Sequence, residues 1–125
     1  MIQDGTPIIF VPCRDPARSR AFYEDTLGLE PVTEDEFAYT FDAGGTPLRL
    51  TRVAEHTPPD WTVAGWEVDD LEAALATLAD RGVAAERFQG LDQDERGIWS
   101  APDGTRVVWF RDPDGNVLSL TTVLE

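Results

Sequence analysis

The sequence predicts an α+β fold built from two copies of one strand–helix–three-strand unit. Three observations predict it: a capped helix that occurs twice, a hairpin signal that occurs twice, and the same order of the two signals in both copies. In the first copy, Pro7 to Pro12 is an apolar, strand-like run. Asp15 then stands where a helix N-cap belongs, with Pro16 at the first helical position. The helix runs to about Leu27 and stops at Gly28. In the second copy, Trp61 to Val68 is strand-like and Asp70 caps the next helix. Its apolar positions Leu71, Ala74, Leu75 and Leu78 form the i, i+3, i+4, i+7 stripe of an amphipathic helix, and Gly82 ends it. The stop glycines lie 54 residues apart and the caps 55.

The ends of the copies also match. Asp42-Ala43-Gly44-Gly45 precedes Leu48-Arg49-Leu50, and Asp112-Pro113-Asp114-Gly115 precedes Leu118-Ser119-Leu120, both at an offset of 70. A glycine-containing turn between two alternating strands reads as a hairpin. The change of offset from 54 to 70 places an insertion in the second copy. The polar, Gly/Pro-punctuated stretch Gln89 to Gly104 is its natural seat and reads as a loop. The whole is expected as a single domain over 1–125, with module one at 1–54, a linker at 55–60 around Pro58-Pro59, and module two at 61–125.

Composition narrows the partners. At 125 residues and 42% hydrophobic content the chain can bury a core without staples. Its formal net charge is −14, and every basic residue is an arginine. Such a field repels phosphate backbones and anionic bilayers, so neither nucleic acid nor a membrane is an expected partner. It either attracts a cationic ligand or serves solubility alone. Without lysine there is no side-chain Schiff base. His56 lies in a proline-rich stretch, and the serines at 19, 100 and 119 do not suggest a Ser-His-Asp system. A single cysteine, Cys13, fits a reducing compartment. The start lacks a basic-then-apolar segment and no apolar run approaches about 18 residues, so the expected location is cytoplasmic.

Four segments carry a family resemblance in order: Asp15-Pro16-Ala17-Arg18-Ser19-Arg20-Ala21-Phe22-Tyr23, Leu27-Gly28-Leu29, Trp66-Glu67-Val68-Asp69-Asp70-Leu71-Glu72-Ala73, and Phe110-Arg111-Asp112-Pro113-Asp114-Gly115-Asn116. Together they resemble the vicinal oxygen chelate superfamily, the glyoxalase/bleomycin resistance protein/dioxygenase-like group. The resemblance implies paired βαβββ modules forming a cupped mixed sheet, helices on its outer face, a homodimer, and a ligand inside the cup. It also implies metal ligands, one from each of four strands, commonly His, Gln or Glu. Carried onto this chain, those positions are Ile8, Arg49, Val63 and Ser119. Ile and Val cannot coordinate, Arg is a permanent cation, and Ser is a poor lone ligand. A slip of one residue offers Ile9, Leu50, Ala64 and Leu118 or Leu120, which are worse. No metal and no other cofactor is therefore expected.

Strand alternation sets what the cup would hold. One parity carries Ile9, Val11, Leu48, Leu50, Trp66 and Leu118 toward the helices. The other carries Phe10, Arg49, Glu67 and Ser119 inward, and matching Asp42 with Asp112 adds Phe37, Tyr39, Phe41, Val107, Trp109 and Arg111. The candidate ligand-binding set is Arg49, Tyr39, Phe41, Phe10, Glu67, Trp109, Ser119 and Trp99. Each has a plain structural alternative. For the aromatics it is core filling, and for Arg49 an ion pair, with Glu67 as one partner. Trp99, in the unusually apolar Gly97-Ile98-Trp99, is expected to pack over the cup mouth or across a dimer contact. Three functions follow. The first is a small-molecule-binding protein for an aromatic or carbonyl/carboxylate-bearing compound. The second is a metal-independent isomerase or lyase with Glu67 as the candidate catalytic proton shuttle and Arg49 or Tyr39 polarising the oxygen. The third is a metal-dependent glyoxalase or dioxygenase with unusual ligands.

Overall fold

The computed structural model describes residues 1–123, so the last two residues of the expected second module lie outside the described residues. The chain divides into two compact units, Met1–Thr57 and a second from Pro58 onward.

The first unit runs β1 (Ile9–Cys13), α1 (Pro16–Ala21), β2 (Glu30–Glu34), β3 (Ala38–Asp42) and β4 (Pro47–Arg52). Asp15 caps α1 as expected, its carboxylate accepting from the Arg18 N–H at 3.3 Å, with Pro16 in the first turn. The helix does not stop at Ala21 but widens into a π turn over Phe22–Thr26, closed by Leu27 N–H to Phe22 C=O at 2.9 Å. Gly28 then takes φ 74°, the left-handed geometry that ends a helix without a Cβ penalty. The sheet order is β1-β4-β3-β2, with β1 parallel to β4 and the other pairs antiparallel.

The second unit repeats this order as β5 (Thr62–Glu67), α2 (Leu71–Asp80), β6 (Trp99–Ser100), β7 (Arg106–Arg111) and β8 (Val117–Thr122). Asp70 caps α2 by accepting from the Ala73 N–H at 3.0 Å. Its sheet order, β5-β8-β7-β6, copies the first, again with only the outer pair β5–β8 parallel. The stretch read as a loop from Gln89 to Gly104 contains β6, so it supplies the fourth strand as well as the insertion. No helix among the described residues is long and apolar enough to cross a membrane.

Residues directly opposite one another across a ladder share a face. In the first unit the register joins Phe41 to Leu48, and Tyr39 through Leu50 to Val11. Phe41, Leu48, Leu50 and Val11 are fully buried there, together with Tyr23 from the π turn. The Tyr23 and Phe41 rings lie 6.1 Å apart. The opposite face joins Phe10, Arg49 and Thr40 in one row.

This corrects the expected parity of β3. Asp42 pairs with Pro47, leaving residues 43–46 as the turn. Arg111 pairs with Val117, leaving residues 112–116. The first hairpin is one residue shorter, and a one-residue change in register moves every side chain of a strand to the other face. Tyr39 and Phe41, and Phe37 by the same alternation, therefore do not share a face with Arg49. In the second unit the expected parity holds. Ala64, Trp66, Val108, Phe110, Leu118 and Leu120 share the face that Leu71 and Leu78 of α2 cover.

Candidate functional site

The open face of the second unit is built in two neighbouring rows. Gly65, Ser119 and Trp109 form one, from β5 through β8 to β7. Glu67, Thr121, Val107 and Trp99 form the other, from β5 out to β6. The β7–β6 edge is thus aromatic and the β5 edge is acidic, with small polar residues between.

Trp109 is held from several sides. Its indole N–H donates to the Thr62 hydroxyl at 3.1 Å. The Phe88 ring meets it edge-on at a centroid separation of 5.6 Å, and Trp99 lies 6.4 Å away at 41°. These are the offset and edge geometries aromatic rings favour. Both indoles remain half-buried, so their outer surfaces are available. At the centre, a β-carbon on Gly65 would collide with the Ser119 hydroxyl. Glycine at 65 therefore lets that hydroxyl occupy the floor between strands. Ser119 Oγ makes no hydrogen bond among the described residues.

Two charged side chains lie on this face. Arg111 is engaged: its Nε donates to Glu86 Oε1 at 2.5 Å and its Nη1 to the Gly115 carbonyl at 2.7 Å. The Glu67 carboxylate is exposed and has no ion pair or side-chain hydrogen bond among the described residues.

Trp99 is positioned by a stapled insertion rather than by a free loop. The Gln93 amide donates to the Glu86 and Gly97 carbonyls at 2.8 Å each and accepts from the Phe88 N–H at 2.8 Å. Asp94 Oδ1 accepts from the Arg96 and Ile98 N–H groups at 2.8 and 3.0 Å. Those contacts, the Ile98 N–H first and Arg96 after it, hold the Asp94 carboxyl below its ordinary pKa. Arg96 and Arg106 both reach Glu72 on α2, at 3.7 and 2.5 Å. The Arg106 hydrogen bond is the main reason the Glu72 carboxyl is likewise depressed.

In the first unit, Phe10 and Arg49 stand on the open face, and Phe10 is 62% exposed. The Arg49 guanidinium is paired within its own unit, with Asp35 at 3.3 Å. Asp35 is itself held by the Phe37 and Ala38 N–H groups at 2.7 and 2.9 Å, and the Phe37 bond leads in lowering its carboxyl pKa. Tyr39 is capped on the opposite face by the Arg20 guanidinium, 5.5 Å from its centroid. Of the four positions the family resemblance marks for metal ligands, Arg49 and Ser119 lie on open faces by register. Ile8 precedes β1 and is 49% exposed, and Val63 falls in the irregularity between Thr62 and Ala64. Among the described residues no group of three or more His, Cys, Asp or Glu side chains is arranged to hold a metal ion.

Sequence reasoning missed Asp35, Thr62, Phe88 and Gln93. The first and last sit in acidic runs that look like solvated loops. Strand alternation puts Gly65 on the cup face and Thr62 in the same strand, but nothing local marks their cross-strand partners. Phe88 lies in a stretch without periodicity.

The comparisons agree with this architecture. The family model for the Glyoxalase/Bleomycin resistance protein/Dioxygenase superfamily matches residues 7–120, and the chain belongs to that superfamily. It is 29% identical over 123 residues to the "Uncharacterized protein YraH" of Bacillus subtilis (strain 168), covering 86% of this chain and 89% of the relative. The crystal structure of the lactoylglutathione lyase from Agrobacterium tumefaciens superposes with a TM-score of 0.73 at 19% identity, covering 94% and 92% of the two chains. That of the fosfomycin resistance protein FosX from Listeria monocytogenes gives 0.75 at 13% identity, covering 96% and 93%. At these identities the likeness is one of fold, and one fold hosts different chemistries.

Proposed function

We propose that this protein binds a small organic molecule against its open sheet faces without a protein-held metal. One observation carries the reading: Ile8, Arg49, Val63 and Ser119 occupy the positions where the resemblance implies ligands. Ile and Val have no lone pair to give. Arg49 carries a fixed positive charge already directed at Asp35. One serine hydroxyl falls short of the several N, O or S donors that a protein-bound divalent ion needs. The residues present do not fit the family's metal, so no step is routed through one. The aromatic edge of the second unit's open face supplies the other half of the reading, since small-molecule sites combine apolar walls with a few polar points.

The isomerase or lyase reading is less well supported. It needs a group that polarises an oxygen opposite Glu67. Arg49 is engaged by Asp35, and Tyr39 stands on the helix-covered face beneath Arg20.

The test is elemental analysis of protein purified from cells, followed by thermal-shift screening of small aromatic compounds. The expected result is substoichiometric zinc, nickel, manganese and iron, no loss of melting temperature with a chelator, and a stabilising shift from at least one compound, because a ligand that binds only the folded state raises Tm. A stoichiometric transition metal removed together with stability overturns the proposal.

A further inference from the structure

We infer that the open face of the second unit selects an arylalkylamine: an aromatic ring against Trp99 and Trp109, and a protonated amine at Glu67. The inference rests on the small-molecule reading above and names the ligand class.

Charge decides the sign of the ligand. Of the two charged side chains on this face, Arg111 is neutralised by Glu86 and further bound to the Gly115 carbonyl. Glu67 is left uncompensated, and the formal charge of −14 over the chain adds to the attraction for a cation. The one feature of the sequence that argued for an anionic ligand was Arg49. Its ion pair with Asp35 removes that argument.

Register decides the shape. Glu67 lies on β5 and Trp109 on β7, with β8 between them. Strands are spaced about 4.8 Å apart, so the two edges of the site are separated by roughly 10 Å at the backbone. The Trp109 indole crosses that gap, its N–H bonding to Thr62 on β5, so its ring lies over β8. A ring stacked on that indole and an amine at Glu67 therefore need a short alkyl chain between them. The missing side chain at Gly65 keeps the floor low beneath it. Trp109 is fixed by Thr62 and Phe88, so a ring stacking on it does not have to order the indole first. Stacking and charge-assisted hydrogen bonding then act at opposite ends of one molecule.

The experiment titrates the full-length chain with phenylbutylamine, phenylbutanol and phenylbutyrate, which share a ring and chain and differ in charge. The readout is intrinsic tryptophan emission. The amine is expected to change the emission saturably and to bind about tenfold more tightly than the alcohol, the usual size of one charge-assisted contact. The carboxylate is expected to be weakest. Glu67→Gln, at an exposed site, is expected to abolish the preference for the amine over phenylbutanol. Equal or tighter binding of phenylbutyrate, an amine preference that survives in E67Q, or no saturable response to any probe overturns the inference. A response to the alcohol or carboxylate alone overturns it while leaving the wider small-molecule reading in place, and the metal content decides that reading separately.

Discussion

Phe41 and Arg49 sit near each other in sequence and were expected on one surface, yet the fold gives them different work. Phe41 is fully buried against Tyr23, in the core between the first sheet and its helix. Arg49 is part-exposed and its contact is an ion pair with Asp35, which is half-exposed itself. Truncating a buried aromatic removes its burial and leaves a cavity, so Phe41→Ala is expected to cost about 3–5 kcal/mol. A solvent-screened ion pair contributes little, so Arg49→Ala is expected to cost less than about 1 kcal/mol. Urea midpoints of the two variants check this, and equal losses would mean that Arg49 is structurally embedded in a way its surroundings do not suggest. The two positions also show what was legible. Caps, stop glycines and hairpins are local signals, and they placed both α-helices and most strands. The face of β3 depended on a turn shorter by one residue, and two glycine-containing turns of different length look alike in sequence. The Asp35–Arg49 pair joins residues far apart in the chain, which no local pattern encodes.

The insertion between α2 and β6 is the element whose order was least legible, because Asp92-Gln93-Asp94-Glu95 has the composition of a solvated loop. Its order comes from long-range satisfaction: Gln93 answers three backbone groups, and Asp94 caps the turn that delivers Ile98 and Trp99. This arrangement has a pH signature. The carboxyls of Asp94 and Glu72 titrate lower in the folded chain than their ordinary values of 3.8 and 4.5. A depressed folded pKa contributes stability that is fully present above the ordinary value and is lost as pH falls through the folded one. The insertion is therefore expected to stay ordered from neutral pH down to the ordinary carboxylate range and to loosen only below it. Tryptophan emission followed through an acid titration, with Trp99→Phe as the control for assignment, reads this directly. A transition centred above 4.5 would assign the order of the insertion to some other group.

At the scale of the whole molecule, charge and apolar surface act against each other. We propose that the chain forms a homodimer: the first unit leaves Ile8 and Phe10 at 49% and 62% exposure, apolar surface that association can cover. Each chain also carries a formal charge of −14, so two chains brought together repel. Salt at physiological strength shortens the reach of that repulsion to about 8 Å, and more salt shortens it further, while burial of apolar surface is little affected. The dimer is therefore expected to tighten as ionic strength rises, the reverse of an assembly held by complementary charges. Light scattering at fixed micromolar protein is expected to give a mass of about twice 13.8 kDa at physiological salt, with a growing monomer fraction as salt is withdrawn. A mass of 13.8 kDa at every salt concentration would leave the chain a monomer. Dissociation on adding salt would show that opposite charges, and not apolar contact, hold the copies together.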